Sequence, residues 1–269
     1  MAELVPRFRE DHVFLIEAFI THSVRESGRT GVVLGLSGGV DSALVARLCV
    51  DAIGASRVLA LALPDGKGGK DLKDAKRLAK SLGIAFRIIG IGPIAAALEK
   101  RVKESGANLV SRGNVRARAR MAVLYYVANS EDLIVMGTGN KSEILTGYAT
   151  KFGDGGVDFQ PIGDLYKTQV REMARHLGLP PDIVDKTPTA GLWPGQTDEG
   201  ELGVKYEELD RILLGIELQL EPEAIAEKAG VPLDHVKHVV ALVASSVHKR
   251  KMPLIPKLGI RTVGLDWRE

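Results

Sequence analysis

Apolar residues recur along the chain as short continuous runs alternating with longer stretches of helical spacing. Residues 32–36 form an apolar, β-prone run between Gly31 and Ser37-Gly38-Gly39, and residues 43–53 carry a helix pattern that stops at Gly54. Residues 58–63 read as a second strand, 72–82 as a helix stopped by Gly83, and 84–89 as a third strand. A long helical stretch runs from Ile94 to about Ala128, with breaks predicted at Gly106 and Gly113, and residues 133–136 make one more all-apolar strand before Gly137. Near-continuous apolar strands alternating with helices predict a Rossmann-like α/β fold, an open parallel sheet with helices on both faces.

Ahead of the first strand, Phe8, Val13, Phe14, Leu15, Ile16, Phe19 and Ile20 recur at roughly helical spacing and predict an amphipathic opening helix. Arg7, Arg9, Glu10, Asp11, Glu17 and His22 interrupt the apolar character, so this is not a secretory signal. No apolar run approaches the ~18 residues of a membrane span. Between Gly137 and Gly203 periodicity gives way to Gly, Asp, Thr, Pro and Gln, apart from a helix at 167–177, and such length predicts functional loops. Helical spacing returns over 221–247 in two helices split by Gly230-Val231-Pro232. The expected organisation is one domain, 1–269, with an N-terminal helix (1–28), a core with its loops (29–203) and a C-terminal helical tail (204–269).

Composition narrows the function classes. The 269 residues are 45% hydrophobic, enough for a sizeable core, while 36 Lys+Arg against 34 Asp+Glu leave a formal charge of only +2. That balance argues against a nucleic-acid binder with a broad basic face, so any anion site is local. The single cysteine, Cys49, excludes an internal disulfide and a CxxC metal knuckle. It sits among Leu44, Val45, Leu48 and Val50 and reads as core. A reducing compartment, with the cytoplasm as default, fits this usage.

The chemistry is concentrated at Leu36-Ser37-Gly38-Gly39-Val40-Asp41-Ser42, where the first strand feeds a helix. Glycines let backbone N–H groups close on phosphate oxygens, Ser37 and Ser42 add hydroxyl donors, and the helix N-terminus favours an anion. Asp41 is repelled by bare phosphate but attracted through Mg²⁺, so the motif implies a metal-bound polyphosphate. The Gly-Lys-[Ser/Thr] ending of a kinase-type P-loop is absent. Downstream, Gly137-Thr138-Gly139-Asn140-Lys141-Ser142-Glu143 follows the last strand at the carboxyl end of the sheet, which places Thr138 and Glu143 at the crevice of Asp41. Either Glu143 joins Asp41 on one Mg²⁺, or Asn140 and Glu143 form the capping box of a short helix.

A loop with three glycines in four residues follows, Thr150-Lys151-Phe152-Gly153-Asp154-Gly155-Gly156-Val157-Asp158, and then Pro161-Ile162-Gly163-Asp164-Leu165-Tyr166-Lys167; Lys151 and Lys167 offset an anionic substrate or are merely solvated. Residues 187–203, with Pro188, Pro194 and Trp193, read as a mobile lid, or as a surface loop ending in the helix cap Thr197-Asp198-Glu199. Residues 64–70 make a second flexible loop.

SGGVDS resembles the pyrophosphate-gripping loop of the N-type ATP pyrophosphatases. GTGNKSE, TKFGDGGVD, PIGDLYKTQVRE and PTAGLWPGQTDEGELG, with NVRAR, in this order resemble NAD synthetase, spanning most of residues 36–203. The resemblance implies ATP contacts from Gly35, Leu36, Ser37, Gly38, Gly39, Val40, Asp41, Ser42, Thr138, Lys167 and Thr189. It implies Mg²⁺ on Asp41 and Glu143, and deamido-NAD contacts from Arg118, Lys151, Asp158, His248 and Lys249. Ser37, Asp41 and Lys167 would carry catalysis. The implied reaction is ATP-dependent amidation of deamido-NAD by ammonia through an acyl-adenylate, releasing AMP and pyrophosphate. Only 36 residues precede Ser37 and no cysteine nucleophile is placed for glutamine cleavage, so ammonia is the expected donor, supplied free or by a separate glutaminase. The family's habit further implies a homodimer.

A helical wheel adds one independent expectation. Arg116 and Arg120 fall together, while Arg118 lies about 160° from both beside Met121, Ala122 and Tyr125. Arg118 is therefore expected to point inward, toward either a substrate anion or an internal salt bridge.

Overall fold

The computed structural model describes residues 4–102, 108–193 and 195–263. Gly106 and Pro194 lie outside the described residues. In chain order the elements are α1 (Asp11–Glu26), β1 (Gly31–Gly35), α2 (Val40–Ile53), β2 (Val58–Ala62), α3 (Gly69–Leu82), β3 (Ala85–Ile88), α4 (Gly92–Val102), α5 (Leu109–Glu131) and β4 (Leu133–Met136). They continue as α6 (Lys141–Thr146), α7 (Lys167–His176), α8 (Pro181–Val184), α9 (Asp198–Leu202), α10 (Tyr206–Glu217), α11 (Pro222–Ala229), α12 (Leu233–Ser245) and α13 (Val247–Arg250).

The four strands form one parallel sheet in the order β3-β2-β1-β4. Side chains alternate across it as the pleat requires. Val32, Leu34, Val58 and Ala60 face a core built with α1, α2, α3, α7 and α8 residues such as Ile20, Leu44, Leu48, Leu78 and Met173. Val33, Leu59, Leu61 and Val135 face Ala119, Val127 and Ala128 of α5. Both faces are thus covered, which is why the strands read as uninterrupted apolar runs. Cys49 belongs to the first core, fully buried, and burial pushes its thiol up to about 12. A third cluster joins α10, α11 and α12 through Tyr206, Leu209, Ile212, Ile225, Val236 and Val239. Among the described residues no helix is long and apolar enough to cross a membrane.

Two expectations need correction. The predicted break at Gly113 does not occur, because α5 runs through it from Leu109 to Glu131. A Cβ there would lie 3.0 Å from Leu192 Cδ1 and 3.2 Å from Trp193 Cζ3, so the glycine makes room for the segment packed over the helix. In α1 only Ile20, Ser23 and Val24 are buried, while Phe14 and Leu15 stay exposed, so its inward stripe is narrower than the spacing suggested. α10 falls inside the tail expected to be helical but ahead of the two helices placed over 221–247, and its apolar face carries Asp210 into the middle of the molecule.

Candidate active site

The glycine-rich turn is shaped by what lies behind it. Leu36 N–H donates to Leu61 O at 2.8 Å, prolonging the ladder past β1, and the chain then reverses into α2. Gly38 adopts φ +84°, and a Cβ on it would stand 2.4 Å from the Asp71 carbonyl oxygen, so no other residue fits without displacing backbone. Ser37 N–H donates to Ser42 Oγ at 3.2 Å, the two hydroxyls lie 3.0 Å apart, and Ser42 Oγ donates to Gly39 O at 3.0 Å. Gly39 caps α2 in an extended conformation, so two hydroxyls and the positive end of a four-turn helix meet in one place.

Beside the turn sits a charge cluster built from three elements. Asp41 lies in the first turn of α2, Glu143 in the first turn of α6, and Lys167 at the start of α7. Lys167 is 2% exposed; its Nζ donates to Asp41 Oδ2 at 2.6 Å and to Glu143 Oε1 at 3.3 Å, and sits 5.1 Å from the Tyr206 ring centroid. Asn140 bridges the same carboxylates, donating from Nδ2 to Asp41 Oδ1 at 2.9 Å and from its backbone N–H to Glu143 Oε2 at 3.2 Å. Its side chain accepts from Glu143 N–H, completing a capping box. The capping box of the sequence reading is therefore formed, and the same Glu143 carboxylate shares Lys167 with Asp41. Burial alone would lower the Lys167 ammonium, but Asp41 and Glu143 together raise it. Burial lifts the Glu143 carboxyl above its usual range, opposed by Lys167.

A second layer holds this cluster in register. Fully buried Asp210 accepts from Ser142 Oγ at 2.5 Å and from Thr168 N–H at 2.8 Å, while Lys167 N–H donates to Ser142 Oγ at 3.0 Å. One α10 carboxylate therefore ties the first turns of α6 and α7 together. Asp198, at the start of α9, accepts from Tyr206 OH at 3.1 Å. Burial raises the Asp210 carboxyl from 3.8 to about 6. A carboxylate raised on folding favours the protonated native state, so its stability contribution is complete below pH 3.8 and fades as pH climbs toward 6. Asp210→Asn is accordingly expected to flatten the fall in stability between about pH 4 and 6, by on the order of 3 kcal/mol, in urea titrations across that range. An unchanged pH slope would show that Asp210 is not the titrating group.

The basic residues meet along one edge. Arg118 Nη2 donates to Lys151 O at 3.3 Å, Lys151 Nζ donates to His248 O at 2.6 Å, and Lys249 Nζ donates to Gly147 O and Ala149 O at 2.6 and 2.9 Å. Arg118, however, is exposed, against the expectation that it points inward. The α5 residues packed on the sheet are Ala119, Val127 and Ala128 with Leu124 beside them, and Arg120 is the inward arginine, donating to Leu63 O at 3.0 Å. Arg116 pairs with Asp65 and, at 2.8 Å, with Glu99. Asp158 accepts from Tyr125 OH at 3.0 Å and from Val135 N–H at 2.9 Å, anchoring its loop to the outer edge of β4. Thr138 is half-buried after β4, and Thr189 is exposed with its hydroxyl accepting from Gly191 N–H. The structure thus brings Asp41, Glu143 and Lys167 together and groups Arg118, Lys151, His248 and Lys249, while Thr189 stands apart on the 187–203 segment.

Asn140, Asp198, Tyr206, Asp210 and Lys186 have structural parts that sequence reasoning missed or saw only as caps. Asp210 had a legible signal, an acidic residue amid Leu209, Ile212 and Leu213 on an amphipathic stretch. Lys186 had none.

A parallel sheet with a hydroxyl-rich glycine turn and a buried carboxylate–lysine cluster at its strand ends defines a nucleotide-binding α/β enzyme class. The sequence profile of the NAD synthase family matches residues 13–253, and the chain belongs to that family. The NH(3)-dependent NAD(+) synthetase of Methanococcoides burtonii is 47% identical over 246 residues, covering 91% of this chain and 94% of that protein. Among solved structures, the NMN synthetase of Francisella tularensis superposes with a TM-score of 0.83 at 37% identity, covering 94% of this chain and all of that one. The NH3-dependent NAD synthetase of Campylobacter jejuni superposes at 0.79 with 33% identity, covering 92% and 98%.

Proposed function

We propose that the protein forms NAD from deamido-NAD, ATP and ammonia, and that the whole chain works as one catalytic domain. The observation that carries this reading is the convergence of the Ser37–Ser42 turn with the Asp41–Lys167–Glu143 cluster, in a chain whose relatives include ammonia-dependent NAD synthetases. A carboxylate is a poor electrophile and its oxygen a poor leaving group, and adenylylation answers both difficulties. The nicotinate oxygen attacks the α-phosphorus of ATP as the bond to pyrophosphate breaks. Ser37, Ser42 and the N–H groups of the turn hold the departing pyrophosphate, and Lys167 turns its ammonium toward it. Ammonia then attacks the acyl carbon, AMP leaves, and a proton is lost from nitrogen.

Mg²⁺ suits the donor set, since Asp41 and Glu143 offer hard carboxylate oxygens from separate elements, each side chain remaining partly exposed beside buried Lys167. These two residues would hold it, and when bound it neutralises polyphosphate charge. Arg118, Lys151, His248 and Lys249 form the basic edge that receives the dinucleotide, with Thr138 and Thr189 reserved for ATP. The working unit is a homodimer, for which exposed Leu98, Val102, Leu109, Val110 and Tyr126 on α4 and α5 supply apolar surface. The test is product analysis with ATP, Mg²⁺ and ammonium or glutamine, offering deamido-NAD and the nicotinate mononucleotide side by side. NAD, AMP and pyrophosphate are expected with ammonium and not with glutamine alone. Faster amidation of the mononucleotide would reassign the substrate.

A further inference from the structure

Peptide 38–39 joins two glycines at the centre of the phosphate turn, and no Cβ on either side restrains its orientation. Its carbonyl is nonetheless held: Lys186 Nζ donates to Gly38 O at 2.9 Å. The same ammonium donates to Asp71 Oδ1 at 2.9 Å and Asp74 Oδ2 at 2.6 Å, both on α3. All three N–H bonds of the ammonium are thereby used, and one positive charge faces two negative ones, so Lys186 is not a lysine free to grip phosphate. Across a trans peptide the C=O and the following N–H point in opposite directions. Fixing Gly38 O therefore fixes the Gly39 N–H, which donates to Ser37 Oγ at 3.2 Å on the side of the turn that carries the hydroxyls.

We infer that Lys186 is a positioning residue for the ATP step: by clamping the Gly38 carbonyl to α3 it holds the Gly39 N–H aimed at the departing pyrophosphate. The inference rests on the turn being the pyrophosphate grip. It also gives the 187–203 segment a mechanical link to the turn, since Lys186 sits at its base. Asp74, 6% exposed, holds the clamp from α3, and burial, which alone would lower the ammonium, is outweighed by Asp74 and Asp71.

The test compares wild type, Lys186→Met, Lys186→Arg and Asp71→Asn in steady-state kinetics and in spectra of protein labelled with ¹⁵N-glycine. Lys186→Met is expected to lose on the order of 10²-fold in kcat/KM for ATP, with KM for deamido-NAD changed less than about 3-fold. Lys186→Arg recovers most of that loss, and Asp71→Asn, which keeps an acceptor, stays near wild type. The Gly39 amide signal is expected to move in Lys186→Met and to lose its response to pyrophosphate, while Gly31 and Gly54 signals stay in place. A Gly39 signal that keeps its wild-type position and pyrophosphate response overturns the inference, even if that variant is less stable. Equal losses for both substrates, with Gly39 unmoved, identify a strut and nothing more. A wild type that makes no NAD refutes the functional reading, and the Gly39 response to pyrophosphate still decides the clamp.

Discussion

Lys167→Met is expected to lower kcat/KM by on the order of 10³-fold and to destabilise the fold in a pH-dependent way. The ammonium is fully buried, and removing it leaves Asp41 and Glu143 facing each other without a cation. Breaking a buried ion pair from one side costs about 3–5 kcal/mol, because a charge remains without its partner. Glu143, already raised by burial, relieves part of this by taking a proton. In the variant its carboxyl rises further above the wild-type value of about 8, so the stability loss is smaller at pH 7, where both native states hold the proton, and grows toward pH 9, where only the variant still does. Chemical denaturation at both pH values measures the sign. Lys167→Arg is not expected to restore activity, since the ammonium is buried between Asp41, Glu143 and the Tyr206 ring, and a longer, planar guanidinium takes that place only by displacing one of them. A methionine variant within tenfold of wild type would show that the buried ammonium is not part of catalysis.

The second large effect is expected from one methyl group. Gly38→Ala places a Cβ 2.4 Å from the Asp71 carbonyl oxygen, at a φ of +84° that L-residues avoid. The left-handed conformation costs roughly 1–3 kcal/mol, and the clash with backbone leaves only displacement of the turn or of the start of α3. Displacement by about an ångström misaligns donors worth on the order of 10²-fold, so kcat/KM for ATP falls by at least that factor. Gly39→Ala is the comparator. Its Cβ would lie 3.4 Å from Ser37 Oγ at φ −94°, and a smaller loss is expected. Equal kinetics in the two variants would contradict a turn held by close packing against α3.

The expectations succeeded where local chemistry dictates structure and failed where tertiary packing does. Parallel strands buried on both faces have to read as continuous apolar runs, so β1, β2 and β4 were legible almost to the residue. Gly113 misled because a helix-interior glycine looks like a break until the packing of Leu192 and Trp193 is known. Arg118 was misplaced because the wheel took Met121, Ala122 and Tyr125 as the inward face. The sheet instead takes Ala119, Leu124, Val127 and Ala128, and the Arg120 guanidinium is tolerated beside them because Leu63 O accepts from it. In the site, the paired hydroxyls of Ser37 and Ser42 and the cap formed by Asn140 and Glu143 were readable from the motifs themselves. Lys186 and Asp210 were not. Their meaning comes from residues 148 and 68 positions away, Gly38 and Ser142 respectively, brought close only by the fold.

The most direct test of adenylate-driven amidation is transfer of ¹⁸O from the nicotinate carboxylate of labelled deamido-NAD during turnover with ATP, Mg²⁺ and ammonium. One labelled oxygen is predicted in each AMP formed, matched by one NAD, with pyrophosphate unlabelled. Label in inorganic phosphate or pyrophosphate, or AMP released without label, would contradict the account.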